Sequence, residues 1–196
     1  MSDTTLGLLR HGQTDWNINL RLQGTADIPM NEVGIAQVEL AAEHLANQNW
    51  DLVISSPLGR AKHSAEIVAN RLGVTEVLIE PLLLERSFGI GEGLEYSEWH
   101  EKFGKLDEIP GAESASQVIE RARALLDQMV ERFRGKRILA VSHGALIRFV
   151  LSEVTAGAVP PPGERLQNAS LHVLTHQEHW NLSAWAPEPL GSKAFE

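Results

Sequence analysis

Arg137-Ile138-Leu139-Ala140-Val141-Ser142-His143-Gly144-Ala145-Leu146-Ile147 is an apolar run of strand length that passes, through one histidine and one glycine, straight into a helical pattern. Ile138 to Val141 are continuously apolar, as in a strand buried on both faces, whereas Leu146, Ile147, Val150 and Leu151 recur on one helix face. The same unit occurs upstream. Residues 51–55 form a short buried-type strand, and Ser56-Pro57 reads as a helix start with Ser as cap and Pro at the first position. Leu58, Ala61, Ala65, Val68 and Leu72 then supply the apolar stripe, and Gly73 stops the helix, placing Arg60 about one turn inside it. Residues 5–9 are the first strand; Ile35, Val38, Ala42 and Leu45 mark one further helix, and Val118, Ala122, Leu125, Met129 and Phe133 mark the longest. Residues 171–174 and 180–185 read as two shorter strands.

Strands alternating with helices predict an α/β fold: a three-layer α/β/α sandwich with a mainly parallel central sheet and ligands beyond the carboxyl ends of its strands. Residues 1–196 read as one domain, with a Gly-rich stretch at about 88–112 placed as a small flap or cap over that edge. Residues 158–163, with three consecutive prolines, read as a stiff connector, and the last ten residues as loosely ordered.

The chain has no cysteine, so neither a disulfide nor a thiolate metal site is available, and a reducing cytoplasm fits. The first residues lack a basic region, the apolar run after them is broken by Arg10, and no stretch is long enough for a membrane helix; a signal peptide is not expected. A net charge of −9 disfavours nucleic acid and anionic membrane as partners, but not a small anion in a local pocket. Leu171, Val173 and Leu174, read as apolar residues of an edge strand, leave a homodimer open.

Three strand ends carry chemistry to one edge. The first delivers Arg10-His11-Gly12, where the glycine is expected to permit a sharp turn and close approach of a ligand. The second delivers Ser55, Ser56 and Arg60, and the third Ser142, His143 and Gly144 at a helix start whose free N–H groups favour anions. Taken singly, His11 could be a capping or core histidine, His143 a helix-start residue and Arg60 a solvated charge. Together they would form a cationic bowl suited to phosphoryl transfer, in which catalysis is mostly holding and neutralising charged oxygens. Arg21 and Arg86 fit a pocket or a surface role equally. His172 and His176 would share a strand face, but with His179 they lack an accompanying carboxylate or cysteine pattern, so a solvated edge is expected rather than a metal site.

The chain resembles the histidine phosphatase superfamily, also called phosphoglycerate mutase-like. The matching stretches are Leu9-Arg10-His11-Gly12-Gln13-Thr14-Asp15-Trp16-Asn17, Leu22-Gln23-Gly24 with Asp27, and Ser55-Ser56-Pro57-Leu58-Gly59-Arg60-Ala61. Glu85-Arg86-Ser87-Phe88-Gly89 with Glu92-Gly93, Gly111-Ala112-Glu113-Ser114, and Val141-Ser142-His143-Gly144 complete the set in the family's order. The resemblance implies that His11 is the nucleophile that becomes phosphohistidine and that Arg10, Arg60 and His143 hold the phosphoryl oxygens. It implies that Glu85 gives a proton to the leaving alcohol and later activates water; Glu80, Glu92 and Glu95 lie nearby, and only the Glu-Arg-x-Phe-Gly context selects Glu85. Asn17, Gln23, Gly24 and Gly144 join the phosphate-binding set, and Asn168-Ala169-Ser170 resembles a segment that crosses under the site.

For this chemistry His11 must attack unprotonated, with its other ring nitrogen held by a hydrogen bond, expected to be to a backbone carbonyl. The arginines supply the charge stabilisation, so neither metal nor cofactor is expected. The short 88–112 stretch, with only Lys102 and Lys105, and Gln13-Thr14 where mutases of the family usually carry Glu-Ser, point to the phosphatase branch. The expected activity is a metal-independent phosphomonoester phosphatase acting on a small phosphorylated metabolite. The alternatives are a cofactor-dependent phosphoglycerate mutase and a non-catalytic phosphate-binding protein of the same fold.

Overall fold

The computed structural model describes residues 3–191, so the loose ordering expected of the last ten residues falls, for 192–196, outside the described residues. A six-stranded sheet forms the centre: β1 (Thr4–Arg10), β2 (Leu52–Ser55), β3 (Val77–Ile79), β4 (Arg137–Ser142), β5 (Leu171–His176) and β6 (Trp180–Ala184), in the spatial order β3-β2-β4-β1-β5-β6. The β3-β2-β4-β1 portion is parallel; β5 and β6 are antiparallel additions. The expected mainly parallel α/β sandwich is therefore the observed fold. The helices are α1 (Asp15–Ile18), α2 (Glu32–Leu45), α3 (Gly59–Leu72), α4 (Tyr96–Phe103), α5 (Ala115–Phe133) and α6 (Gly144–Val154).

Alternation along the central strands divides the core into two layers. Leu6 and Leu8 of β1 and Ile138 and Ala140 of β4 pack with Val118, Leu125 and Met129 of α5 and Ile147 and Leu151 of α6. Leu9, Leu139 and Val141 point the other way, onto Val38 and Leu45 of α2 and Ala61, Ala65 and Val68 of α3. Helix ends follow local chemistry: Asn31 Oδ1 accepts from Gly34 N at the start of α2, Ser114 and Gln117 form a reciprocal cap on α5, and Gly73 ends α3 at φ +70°.

Several expectations need correction. α3 begins at Gly59, with Leu58 as its unbonded cap residue, so Ser56 does not cap it and Arg60 sits in its first turn. β5 lies between β1 and β6, and Leu171 and Leu174 are buried, so they do not form the apolar edge on which a dimer could be argued. His172 is not at a solvated edge: it is fully buried, stacked 4.9 Å from the Trp185 ring, and its Nε2 lies 3.2 Å from Ser170 Oγ. The three-residue β3 and the short α1 and α4 are too brief for hydrophobic periodicity to announce them. The 88–112 stretch holds α4 and two single 3₁₀ turns, closes on itself where Phe88 bridges Ala112, and is tied to the 21–26 loop through Leu22 N to Leu94 O (3.0 Å) and Gly93 N to Leu22 O (2.8 Å).

Gly12 is required for reasons of packing rather than turning. A β-carbon there would fall 2.3 Å from Gly34 O, and one on Gly34 would fall 2.1 Å from Gln13 O. The two glycines let the first turn of α2 lie directly against the loop after β1. Gly73 differs: it holds a left-handed conformation with open space around it. We predict that Gly34→Ala lowers stability by about 1–3 kcal/mol through overpacking. Gly73→Ala should cost about 1–2 kcal/mol through backbone strain alone. Urea unfolding with a near-ultraviolet probe separates them, since only Gly34→Ala should disturb tertiary packing around residues 12–17.

Candidate active site

The register of the sheet brings the sequence-distant residues together. Arg10 pairs with Ser142 and Ser55 with Val141, so β1, β2 and β4 finish level. The alignment continues one residue further, with His11 N donating to Ser142 O (3.0 Å) and Ser56 N to Val141 O (3.0 Å). His143 is the residue just before α6, and its ring centroid lies 5.1 Å from that of His11. Ser56 Oγ sits 2.8 Å from His143 Nε2, which is where the serine that looked like a helix cap is used.

His11 Nδ1 lies 2.7 Å from Gly12 O. A carbonyl can only accept, so Nδ1 carries the hydrogen and Nε2 keeps the lone pair. The imidazole is 2 % exposed, and burial, with the Arg60 and Arg10 guanidiniums beside it, holds it well below the ordinary histidine range. His143, fully buried, is lowered well below that range by burial and by Arg60, His11 and Arg10; its Nδ1 has no hydrogen-bond partner. Both rings are thus neutral at pH 7, with His11 poised as a nitrogen nucleophile.

Two guanidiniums flank it. Arg60 is 1 % exposed and donates to Ala26 O (2.7 Å) and Gly24 O (2.8 Å); Arg10 donates to Leu166 O. Among the described residues neither is in ion-pair contact with a carboxylate. Burial lowers Arg60, against the opposing pull of Glu85, Asp27 and Glu92, and brings Arg10 down to about 10, so both stay cationic at neutral pH. A buried cation without a counter-ion is costly, and an anionic ligand would remove that cost.

Glu85 is the carboxylate of the cavity wall. Its oxygens accept from Arg86 N (2.8 Å) and from Ala145 N and Leu146 N of α6 (both 3.1 Å). Two N–H groups of the α6 N-terminus, expected to serve an anion, are therefore occupied by Glu85. Ser142 Oγ donates to Leu83 O (2.8 Å) and steadies the same loop. The rival acids are committed elsewhere: Glu80 to Gln128 and Arg132, Glu92 to Thr25, Ala26 and Phe88, and Glu95 to Arg21.

The stretch after His11 reads as a positioning device. Thr14 caps the four-residue α1 and Asn17 bonds back to it. Asn17 Oδ1 accepts from Thr14 N (3.0 Å) and Asn168 Nδ2 (3.1 Å), which leaves its own amide nitrogen for the cavity it lines. Asn168 Nδ2 also reaches His11 O (3.0 Å), and Ala169 N donates to Arg10 O (3.0 Å). The 168–170 segment does cross beneath the site.

A cavity of about 520 Å³ opens here, lined by Arg10, His11, Asn17, Gln23, Gly24, Arg60, Glu85 and Gly144 among the expected residues. His143 is not on its wall but behind His11. Arg21 and Arg86 are on the wall, each tied to a carboxylate, Glu95 (2.7 Å) and Asp107 respectively. Arg148 and Arg165 also line it and were not anticipated. Arg148 stands one helical turn beyond Gly144, a spacing that could have flagged it; Arg165 follows the three prolines with no local pattern.

Three buried imidazoles set a pH dependence. His172 is lowered to about 4 by burial, and His11 and His143 are lowered as described. Protons bind these rings in the unfolded chain before they bind in the folded one, so stability is fully present above about pH 7. It drains away as pH falls below the ordinary imidazole value, for His172 down to about pH 4. The unfolding free energy from urea titrations in phosphate-free buffer should be flat from pH 7.5 to 8.5 and fall below pH 6.5, its slope steepening towards about 4 kcal/mol per pH unit. A flat profile down to pH 5 would contradict the burial of these rings.

A sequence profile described as the histidine phosphatase superfamily (branch 1) matches residues 6–186. The chain is 33% identical over 181 residues to a Bacillus subtilis protein named an uncharacterized phosphatase, PhoE, covering 91% of this chain and 92% of that one. It is 36% identical over 201 residues to a probable phosphoglycerate mutase, GpmB, of Yersinia pestis, covering 95% and 92%. Among solved structures it superposes with a TM-score of 0.82, at 30% identity, on a mycobacterial glucosyl-3-phosphoglycerate phosphatase in complex with VO3, covering 92% of this chain and 98% of that one. The chain belongs to the histidine phosphatase superfamily, branch 1.

Proposed function

We propose that the protein is a metal-independent phosphomonoester phosphatase working through a phosphohistidine on His11. The observation that carries this reading is the neutral, Nδ1-tethered imidazole of His11 beside a buried guanidinium, Arg60, and a half-buried one, Arg10, neither in ion-pair contact with a carboxylate among the described residues. His11 Nε2 attacks phosphorus, a P–N bond forms as the ester P–O bond breaks, and Glu85 delivers a proton to the departing alkoxide. Arg10 and Arg60, with the amide nitrogen of Asn17, hold the equatorial oxygens, and His143, off the cavity wall with its ring centroid 5.1 Å from that of His11, packs beside the nucleophile. Water then attacks phosphorus, Glu85 takes its proton, the P–N bond breaks, and phosphate leaves. A cysteine-free chain of this chemistry fits a cytoplasmic enzyme of small phosphorylated metabolites.

Hydrolysis rather than return of the phosphoryl group is supported by an open mouth: Leu20, on the cavity wall, is 49% exposed and Arg165 is exposed, so water reaches the intermediate. The likeness to a probable phosphoglycerate mutase favours a second reading, transfer to another hydroxyl of the substrate. The wild-type chain should release phosphate from p-nitrophenyl phosphate with EDTA present, His11→Ala should release none, and Arg60→Ala should be slower by on the order of 100- to 1,000-fold. Acid-quenched mass analysis should find phosphate on His11. Rapid isomerisation of 3-phosphoglycerate, primed by 2,3-bisphosphoglycerate and without free phosphate, would favour the mutase. Wild type as inert as His11→Ala in every assay would leave a binding protein.

A further inference from the structure

The cavity wall carries six arginines, and Glu85 is its one carboxylate among the described residues. Their distribution is informative. Arg21 and Arg86 are neutralised by Glu95 and Asp107, and Arg10 and Arg60 flank His11. Arg148 and Arg165 are left over. Neither is in ion-pair contact with a carboxylate among the described residues, and the one hydrogen bond of Arg148 goes from its guanidinium to Glu164 O.

Arg148 of α6 and Arg165, in the chain segment between the prolines and Asn168, line the same cavity. Arg10 grips Leu166 O and Arg148 grips Glu164 O, so the main chain on either side of Arg165 is fixed to the two neighbouring guanidiniums, while the buried Leu166 side chain anchors the segment in the core. Arg165 is exposed at the rim and Arg148 half-buried below it. Both are near enough to repel the Arg10 guanidinium. Bringing three like charges together opposes folding; Glu85 acting on Arg10 and Glu164 acting on Arg148 offset part of that through space, and a phosphoryl dianion already answered by Arg10 and Arg60 leaves the outer pair without an anion in contact.

We infer that Arg148 and Arg165 form a second anion subsite, so that the preferred substrates carry, besides the phosphoryl group on His11, a second anionic group: a carboxylate or another phosphate. Guanidinium forks suit either, because both present paired oxygens to parallel N–H donors. The inference rests on the phosphatase reading for the word substrate, but the subsite itself can be tested by binding alone.

Two matched pairs of ligands isolate the second charge. 3-Phosphoglycerate and glycerol 3-phosphate differ by a carboxylate in place of a hydroxymethyl group; fructose 1,6-bisphosphate and fructose 6-phosphate differ by one phosphate. Calorimetric titration of the His11→Ala chain should find the more anionic member of at least one pair tighter by about tenfold or more. The pair showing the preference identifies the second group. Arg148→Gln or Arg165→Gln in that background should bring the affinity ratio close to one, and Arg148→Lys should restore part of it. Equal affinities within both pairs, or a ratio that survives both glutamine substitutions, would overturn the subsite. Phosphate release by the wild-type chain is read separately: no release from any of the four, with the affinity ratio intact, would sink the hydrolase reading and leave the subsite standing.

Discussion

Arg60 is buried to 1 % exposure with its charge answered by the Gly24 and Ala26 carbonyls instead of a carboxylate, and most of the site follows from that arrangement. Carbonyl dipoles solvate a guanidinium but do not cancel its charge, so the positive potential persists where His11 and His143 sit. That potential, added to burial, is what keeps both imidazoles unprotonated. A carboxylate partner for Arg60 would have made a more comfortable interior and a poorer site: it would have relieved the charge and made His11 easier to protonate. The fold accepts the cost because the parallel strands, flanked by two apolar layers, supply stability elsewhere.

The N-terminus of α6 illustrates how a general rule can be redirected. Free N–H groups at a helix start favour anions, and here the anion that takes two of them is Glu85 of the same chain. The helix therefore fixes the Glu85 carboxylate at the cavity wall. Glu85 is thereby hydrogen-bonded to the same helix that carries Arg148.

The core of this fold could be read from its sequence because its strands are continuous apolar runs and its long helices carry one-sided stripes; residues 137–142 form the strand that the pattern marks. The site was legible where a strand end supplied it, as for Arg10, His11 and His143. Elements of three or four residues such as β3 and α1 left no periodic trace. Ser56-Pro57 resembled a cap by composition, but a tertiary partner, His143, claimed the serine and the helix started later. His172 was misjudged because alternation assigns a strand face and not its cover: the neighbouring hairpin brings Trp185 over the ring. Arg165 was invisible because its placement depends on two hydrogen bonds to carbonyls of its neighbours from arginines 17 and about 150 residues away along the chain.

The sign of the whole chain and the sign of its cavity are opposed: a net charge of −9 surrounds a pocket walled by six guanidiniums. Screening resolves the contradiction. At physiological ionic strength surface charges lose their reach beyond about 8 Å, whereas charges at the pocket wall act at contact range on whatever enters. A compact anion that fits within about 520 Å³ meets only the wall. The charge layout of the wall and the volume of the cavity thus set two separate conditions on a ligand, its sign and its size.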